Sequence, residues 1–362
     1  MSVSTTRISS EDRLTRRALG AWAGALLTAT APISHHHAAA QADGWQQLAI
    51  EAAGPSPRWD HTLSAHNAGK SLIVFGGRDA DGAALGDTWL FSRTRETWEL
   101  VDSPGPAPRF GHAVATDQER ELLYLFGGQA GADFFNDLWR LDMARGAWTQ
   151  VGDGSGIAVS PRYGTSLVLT DDGTLVVSHG FTFEGRFDDT WAHDIDTGAW
   201  VEISPELDLA RPLKRCLHEA VWAEHLKRMV LFGGCSSGFG PCPQGDLWSF
   251  EPSSRIWIDR TIAEAPNARS NPALVYDAGR DNILLIGGLT DTGYAADLWS
   301  LTISDAEEDG PVWAASDLVG PAPRASHDAV MTGPWLYLFG GFGNSGALND
   351  LWVLDARNLG NG

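Results

Sequence analysis

One short pattern occurs six times along this chain of 362 residues, and the repetition constrains the fold more than any other feature. Each copy opens with an arginine, continues into an apolar run that ends in glycine, and closes with Asp-x-Trp. The arginines are Arg58, Arg109, Arg162, Arg215, Arg269 and Arg324. The aspartates are Asp87, Asp137, Asp189, Asp246, Asp297 and Asp350. Successive arginines are 51, 53, 53, 54 and 55 residues apart, a period that indicates an array of similar structural units.

The pattern within each unit predicts four short β-strands. The first strand follows the arginine, and the second is an apolar run such as residues 72–75, which predicts a strand covered on both faces. The third carries Asp-x-Trp, and the fourth carries a second tryptophan such as Trp98. Clusters of Gly, Pro and Asp separate the strands. We therefore predict an all-β fold, a six-bladed β-propeller whose blades stack to bury their apolar faces.

The last unit lacks a second tryptophan, and the sequence suggests how the ring closes. Trp45 stands in a strand-like stretch at the other end of the propeller region. We expect this N-terminal strand to complete the sixth blade, because an open propeller exposes strand edges at its seam. The predicted propeller covers residues 43–362. Its blades are expected at about 51–101, 102–151, 152–203, 204–260, 261–316, and 317–355 plus 43–50.

The glycine pair after an apolar strand and the spaced tryptophans resemble the kelch-repeat family. Phe339-Gly340-Gly341 followed by Trp352 is a clear instance, and the resemblance covers residues 44–355. It implies a six-bladed propeller like the central domain of galactose-oxidase-like enzymes. Kelch propellers serve as interaction modules and occasionally as enzymes, so the resemblance says more about fold than about function.

The first 42 residues resemble a twin-arginine export signal. Arg16-Arg17 precedes a mildly apolar run, and Ala40-Gln41-Ala42 offers a cleavage site between small residues. We expect cleavage after Ala42, no membrane span afterwards, and a periplasmic or secreted protein. The alternative is an uncleaved anchor, although the run is shorter than the roughly 20 apolar residues that a span needs.

Charge and cysteine content limit the possible partners. The formal net charge is −20, and removing residues 1–42, which carry four arginines and two acidic residues, leaves −20 − 2 = −22. Such a chain repels phosphate backbones, so we expect no nucleic-acid partner. An exported protein can form disulfides. Cys235 and Cys242 flank one loop and form the favoured pair, with Cys216–Cys235 as the alternative.

The polar residues that recur in every unit are interpreted as structural. The regular pairing of one arginine with one aspartate favours an Arg–carboxylate contact in each blade over a ligand site. His61, His112, His218 and His327 share one repeat position, where units three and five carry Thr165 and Pro272. We expect these histidines to bond a neighbouring blade, and we predict no metal and no cofactor; a histidine metal ring is the alternative.

Departures from the repeat mark the candidate binding surface. Aromatic and polar residues gather in the loops between second and third strands, which should emerge on one face of the propeller. The predicted aromatic rim consists of Phe134, Phe135, His179, Phe183, Arg186, Phe239 and Tyr294. Such a surface suits a peptide or a sugar ring. The alternative is that these aromatics only pack the loops onto their own blades.

The resulting prediction is an exported, monomeric interaction module that binds a protein or glycan partner in the bacterial envelope. No catalytic residue is predicted. A copper-radical site like that of galactose-oxidase-like enzymes is disfavoured, because none of the five tyrosines precedes a histidine. The remaining alternatives are a sugar-modifying enzyme similar to the periplasmic sialic-acid mutarotases, and a structural scaffold without a dedicated ligand.

Overall fold

The computed structural model describes residues 44–50, 53–66, 69–236, 242–304 and 309–359. They belong to one compact unit, Ala42–Gly362. The predicted export signal, residues 1–42, lies outside the described residues, as does Phe239. Helical structure within the described ranges is limited to a 3-10 turn, Ala356–Asn358. These ranges contain no helix that is long and apolar enough to cross a membrane.

Six antiparallel sheets form the blades, which confirms the predicted six-bladed all-β propeller. Blade one contains Thr62–His66, Ser71–Phe75, Thr88–Ser92 and Thr97–Leu100. Blade two contains Ala113–Asp117, Leu122–Phe126, Leu138–Asp142 and Ala147–Gly152, with a small ribbon of Gln129–Ala130 and Asp133–Phe134. Blade three contains Ser166–Leu169, Thr174–Thr182, Gly185–Asp194 and Trp200–Glu202. Blade four contains Glu219–Ala223, Arg228–Phe232, Leu247–Glu251 and Ile256–Asp259. Blade five contains Ala273–Asp277, Asn282–Thr290, Gly293–Thr302 and Val312–Ala315.

Blade six draws its strands from both ends of the propeller. It contains Asp328–Thr332, Trp335–Gly343, Gly346–Asp355 and Gln46–Gln47, and Arg324–Ala325 also pairs with its second strand. Trp45 covers Gly320 so closely that a Cβ on that glycine would lie 2.8 Å from its Cδ1. Trp98 covers Gly54 in the same way, at 2.7 Å. Trp45 therefore takes the place of the missing second tryptophan, and the predicted closure by the N-terminal strand is confirmed.

The hydrophobic core lies between the blades. Six clusters of buried side chains each join two neighbouring blades, including one that joins blade six to blade one. The second strand of each blade is apolar on both faces because a neighbour covers each face, and Val74 and Leu125 have no exposed surface. Each such side chain contributes about 1.5–3 kcal/mol on burial.

A closed ring of backbone hydrogen bonds surrounds the propeller axis. In each blade, the second residue after the repeated arginine donates its backbone N–H to the carbonyl of the equivalent residue in the preceding blade. These hydrogen bonds are 2.8–3.0 Å long. All six residues have a left-handed backbone, with φ between 49° and 62°. This central ring consists of Asp60, Gly111, Gly164, Leu217, Asn271 and Ser326.

Candidate functional site

The repeated arginine and aspartate form a bidentate ion pair in every blade. In blade two, Arg109 Nη1 and Nη2 donate to the carboxylate oxygens of Asp137 at 2.6 and 2.9 Å. Arg109 Nη1 also donates to the carbonyl of Gly127, and Trp139 Nε1 donates to Asp137 at 2.7 Å. The other five blades repeat the ion pair with 2.6–2.9 Å bonds. Each arginine is almost fully buried, so these residues hold the loops together and offer no surface to a ligand.

The arginine partner lowers the pKa of five of these carboxyl groups. Burial alone would raise the pKa of Asp87, but the hydrogen bonds and the positive charge of Arg58 outweigh it, so the pKa lies below its usual value. In four other blades, the arginine partner outweighs burial in the same way and lowers the pKa values of Asp189, Asp246, Asp297 and Asp350.

The repeated histidines lie between blades. His112 Nε2 is 3.1 Å from the hydroxyl of Thr62, and His218 Nε2 is 3.1 Å from that of Ser166, in each case across a blade boundary. Burial, followed by the nearby arginine of the same blade, lowers the pKa of His112, His218 and His327 to about 3. They are therefore neutral at physiological pH. No group of three or more His, Cys, Asp or Glu in the described ranges could hold a metal ion.

Part of the predicted aromatic rim converges into one cluster. The ring centroids of Phe134 and Phe183 are 4.9 Å apart, and both rings contact Phe181, at 6.1 and 6.5 Å. Phe183 is 69% exposed at the tip of the blade-three hairpin. The Arg186 guanidinium lies 5.4 Å from the Phe181 ring and donates to the carbonyl of Cys235. We call Phe134, Phe181, Phe183 and Arg186 the outer cluster.

Other residues of the predicted rim lie elsewhere. His179 is fully buried against His218 and Trp257, so its assignment to an exposed rim is corrected; its place in the repeat is that of a glycine beneath the loop. The Phe135 ring stacks on the Arg109 guanidinium at 4.0 Å, which gives it a packing role within blade two. Tyr294 is half-buried and contacts Phe342 at 6.4 Å, apart from the outer cluster.

A second group, missed by the sequence analysis, lies next to the central ring. Arg78 stacks on Phe110 at 3.7 Å, pairs with Asp60 at 2.8 Å, and donates to the Tyr163 hydroxyl at 3.3 Å. Trp59 lies nearby, at 5.8 Å from the Arg78 guanidinium. We call Trp59, Arg78, Phe110 and Tyr163 the inner cluster, and the two clusters together the aromatic face.

A sequence signal for the inner cluster does exist. The residue after each repeated arginine is aromatic in the first three blades and small in the last three. Tyr163 pairs through its backbone with Phe181, which links the inner cluster to the outer one. Burial, and secondarily the charge of Asp60, raises the pKa of Tyr163 well above its ordinary value, so its hydroxyl keeps its proton.

The cysteines lie at the edge of the aromatic face. Cys235 and Cys242 form a disulfide, the pairing favoured by the sequence. Cys216 is a buried free thiol whose backbone pairs with that of Cys235. Burial raises the pKa of Cys216, opposed by the nearby Arg186 guanidinium.

A central cavity of about 370 Å³ lies inside the ring of blades. It reaches from the central ring to Trp222, Glu224 and Tyr276 at the opposite end of the first strands. Glu219 and Asp328 line it close to the central ring. Burial raises the pKa of Asp328 to about 7, although two backbone N–H groups donate to this carboxyl. Burial also raises the pKa of Glu219 well above its ordinary value, reinforced by the charges of Asp328 and Asp60.

The sequence of this chain matches a family of known proteins that is built from the same repeat. A family model described as the KLHDC2/KLHL20/DRC7 Kelch-repeats domain matches residues 17–234 and 218–360. The chain belongs to the kelch-repeat family. The kelch propeller is a typical protein-interaction module.

Several proteins of eukaryotes are similar to this chain. An F-box/kelch-repeat protein of Arabidopsis thaliana is 34% identical over 157 residues, covering 40% of this chain and 32% of that protein. Acyl-CoA-binding domain-containing protein 4 of the same plant is 27% identical over 242 residues, covering 66% and 35%. Host cell factor 2 of Homo sapiens is 26% identical over 319 residues, covering 80% and 35%. The chain spans about a third of the length of these relatives.

Proposed function

We propose that this kelch propeller binds a protein partner through its aromatic face. The observation that carries the proposal is the outer cluster, in which Phe183 is 69% exposed while its ring remains in contact with Phe134. Single exposed apolar residues are common, but a group of aromatic rings beside an arginine has the composition of an interface core. Aromatic anchors contribute much of the binding energy of such interfaces.

A protein is a better match to the outer cluster than a glycan, the other ligand class that the sequence suggested. Sugar recognition needs polar groups that fix the hydroxyls, whereas three of the four residues in this cluster are phenylalanines. The guanidinium of Arg186 is already engaged with the carbonyl and sulfur of Cys235. We therefore place the glycan second and let the binding test separate the two.

The test compares the wild-type protein with the double variant Phe134→Ala plus Phe183→Ala. Each protein is immobilised and used to capture partners from an envelope extract, and each captured partner is then measured by titration. The matched control is Leu100→Ala plus Val312→Ala, which removes two exposed apolar side chains from outer strands. Removing two aromatic anchors should weaken binding by about 2–4 kcal/mol, while the control should bind normally. Equal binding by all three proteins contradicts the proposal, and capture that glycosidase treatment abolishes favours the glycan.

We also propose that the protein is exported and acts in the bacterial envelope or outside the cell. The proposal rests on Arg16-Arg17, the apolar run that follows, and the small residues at Ala40 and Ala42. Expression of the full chain followed by N-terminal sequencing should give a mature protein that begins at Asp43. Replacing both arginines with lysine should retain the protein in the cytoplasm, and normal export of that variant would exclude the twin-arginine route.

The lining of the central cavity disfavours the alternative of an enzyme that acts on an anionic sugar. Every described residue that lines the central cavity is neutral, acidic or a buried histidine, and Lys and Arg are absent from the described lining. The carboxylate of an acidic sugar would therefore face Glu219 and Asp328 without a counter-charge, which is unfavourable in a partly enclosed site.

A further inference from the structure

The central cavity has the size and the charge of a specific ligand site. Its volume of about 370 Å³ lies at the lower end of the range typical of small-molecule sites, about 300–1,000 Å³. Carboxyl groups stand near both of its ends, Glu219 and Asp328 close to the central ring and Glu224 at the opposite end. Since Lys and Arg are absent from its described lining, the cavity favours positive charge.

Glu219, unlike Asp328, has no hydrogen-bond partner for its side chain among the described residues. The described residues provide no hydrogen-bond donor to its carboxyl group, whereas both oxygens of Asp328 accept backbone N–H groups. It is half-buried, and the surface that it keeps lines the cavity. A half-buried carboxyl that no described residue bonds is available to a ligand in this cavity.

The repeat explains why Glu219 is unpartnered. The residues at its position in blades one and three, Thr62 and Ser166, each bond the histidine of the next blade. Glu219 belongs to blade four, and blade five has Pro272 in place of that histidine. Proline has no side-chain donor, so the polar contact that blades one and three make with the next blade is missing here. Two departures from the repeat, an acid and a proline, thus meet at one wall of the cavity.

We propose that the central cavity binds a primary ammonium group, with the Glu219 carboxylate as its ion-pair partner and Asp328 as the second negative charge. This site goes beyond the partner-binding role of the aromatic face, and it uses none of the residues of that face. The ammonium can belong to a free alkylamine or to a lysine side chain of a partner protein, because both present the same group on a narrow aliphatic chain.

The lining of the cavity matches the aliphatic chain of the ligand as well as the charge of its ammonium group. Between the carboxyl groups and the far end, the cavity is lined by small and aliphatic side chains, including Val114, Leu167 and Ala220. Methylene groups gain stability against this wall, while the ammonium reaches the carboxyl groups. A bare metal ion is a poorer match, because the described residues contain no converging set of three metal ligands.

Binding should depend on pH through Glu219. The titratable groups lining the cavity are Asp60, Glu224, Asp328, Tyr276, His61, His112, His218 and His327 in addition to Glu219 itself. Arg78 neutralises Asp60, and burial keeps the histidines uncharged at neutral pH. Because burial raises the pKa of Glu219, an ammonium must displace its proton in order to pair with it. Affinity should therefore increase as the pH rises through the raised pKa of Glu219.

The test titrates the full-length wild-type protein with n-butylammonium and, separately, with 1-butanol, by calorimetry at low salt. Butanol has the same four-carbon chain without the positive charge. Comparing the two ligands therefore tests the role of the charge in the wild-type protein, without any variant. We expect saturable binding of one butylammonium per chain and much weaker binding of butanol. Glu219→Gln should weaken butylammonium binding by about tenfold or more, while Glu99→Gln, the same change of charge on an exposed strand, should leave it intact.

Two results would overturn the site. The first is equal binding of butylammonium and butanol by the wild type, and the second is unchanged butylammonium affinity in Glu219→Gln. A further titration with the N-acetylated, C-amidated peptide Gly-Gly-Lys-Gly-Gly, whose only ammonium is on the lysine side chain, distinguishes the source of the ammonium. Tighter binding of the peptide than of butylammonium assigns the site to a partner's lysine, and the reverse order assigns it to a free amine. Loss of the aromatic-face interaction leaves these titrations unaffected, so the two proposals can fail separately.

Discussion

Gln46 pairs with Val353 in antiparallel register, so residues more than 300 positions apart share one sheet. Gln47 pairs with Trp352, and the N–H of Leu48 donates to the carbonyl of Leu351 at 2.8 Å. The same blade contributes to the apolar cluster that joins it to blade one. Because each blade is stable only against its neighbours, this short strand affects the stability of the whole ring.

Removing residues 44–50 should therefore destabilise the entire propeller. Trp45→Ala alone should cost about 2–4 kcal/mol, since a half-buried indole leaves a cavity over Gly320, and the full deletion should cost more. Thermal unfolding followed by circular dichroism measures both changes. Leu100→Ala, an exposed position on the outer strand of blade one, should change stability by no more than about 0.5 kcal/mol. An unchanged melting temperature after the deletion would contradict closure by this strand.

The buried arginines should be sensitive to loss of their counter-charge. Asp137→Asn keeps the shape of the side chain but leaves Arg109 buried beside a neutral group, which should cost about 3–5 kcal/mol. The control is Glu99→Gln, which breaks the exposed pair with Arg95 and should cost no more than about 1 kcal/mol. Urea denaturation of both variants gives the comparison. Similar losses in the two variants would show that the repeated pairs behave like surface ion pairs.

Much of the fold could be predicted because the residues that determine each blade lie close together in the sequence. The apolar second strand, the glycine pair and Asp-x-Trp recur at a fixed period, and each has the same physical role in every blade. The missing second tryptophan of unit six was enough to indicate how Trp45 closes the ring. In these cases the repeat supplies a template, and a residue's neighbours in space follow from its place in that template.

The candidate sites depend on contacts that the repeat does not encode. Arg78 and Asp60 come from one blade, but they meet Phe110 and Tyr163 from the next two around the axis. Likewise, Glu219 draws attention only when its blade is compared with the next one, where Pro272 stands in place of a histidine. His179 misled the prediction because its departure from the glycine pattern suggested a loop residue, whereas it keeps the left-handed backbone of the glycines that it replaces, with φ of 58°, and its side chain is fully buried.

The central ring should be intolerant of a side chain at Gly111. A Cβ there would lie 2.1–2.2 Å from atoms of the Tyr163 ring, so Gly111→Ala must displace a buried aromatic residue of the inner cluster. Gly131→Ala is a matched control, since φ is 59° at Gly131 and 57° at Gly111, yet no atom lies within 4 Å of its Cβ position. The control should cost about 1–2 kcal/mol through backbone strain alone. The ring variant should cost more in thermal unfolding, and equal costs would exclude the clash.

The buried histidines should make the protein less stable as the pH falls. The pKa of His112 is about 3 in the folded protein and about 6.5 in the unfolded chain, so the unfolded chain binds a proton first. Its stabilising contribution is complete above about pH 6.5 and is lost progressively toward about pH 3. His112→Thr copies the residue that blade three has at this position, Thr165. It should reduce the slope of unfolding free energy against pH by about 1.4 kcal/mol per unit, measured by urea denaturation between about pH 4 and about pH 6. An unchanged slope would mean that His112 already accepts a proton in the folded protein.

Glu219 should have the opposite effect on stability. Burial raises its pKa in the folded protein, so the folded state holds a proton that the unfolded chain releases more readily. Its contribution is present at low pH and is lost as the pH rises through the raised pKa. Glu219→Gln removes the ionisable group without changing its size. It should raise the melting temperature at an alkaline pH while having little effect at an acidic pH. Glu99→Gln, on an exposed strand, should show no such difference between the two pH values. If Glu219→Gln lowered the melting temperature equally at both pH values, the Glu219 carboxyl would be making a stabilising contact within the protein and would not be an unoccupied cation site.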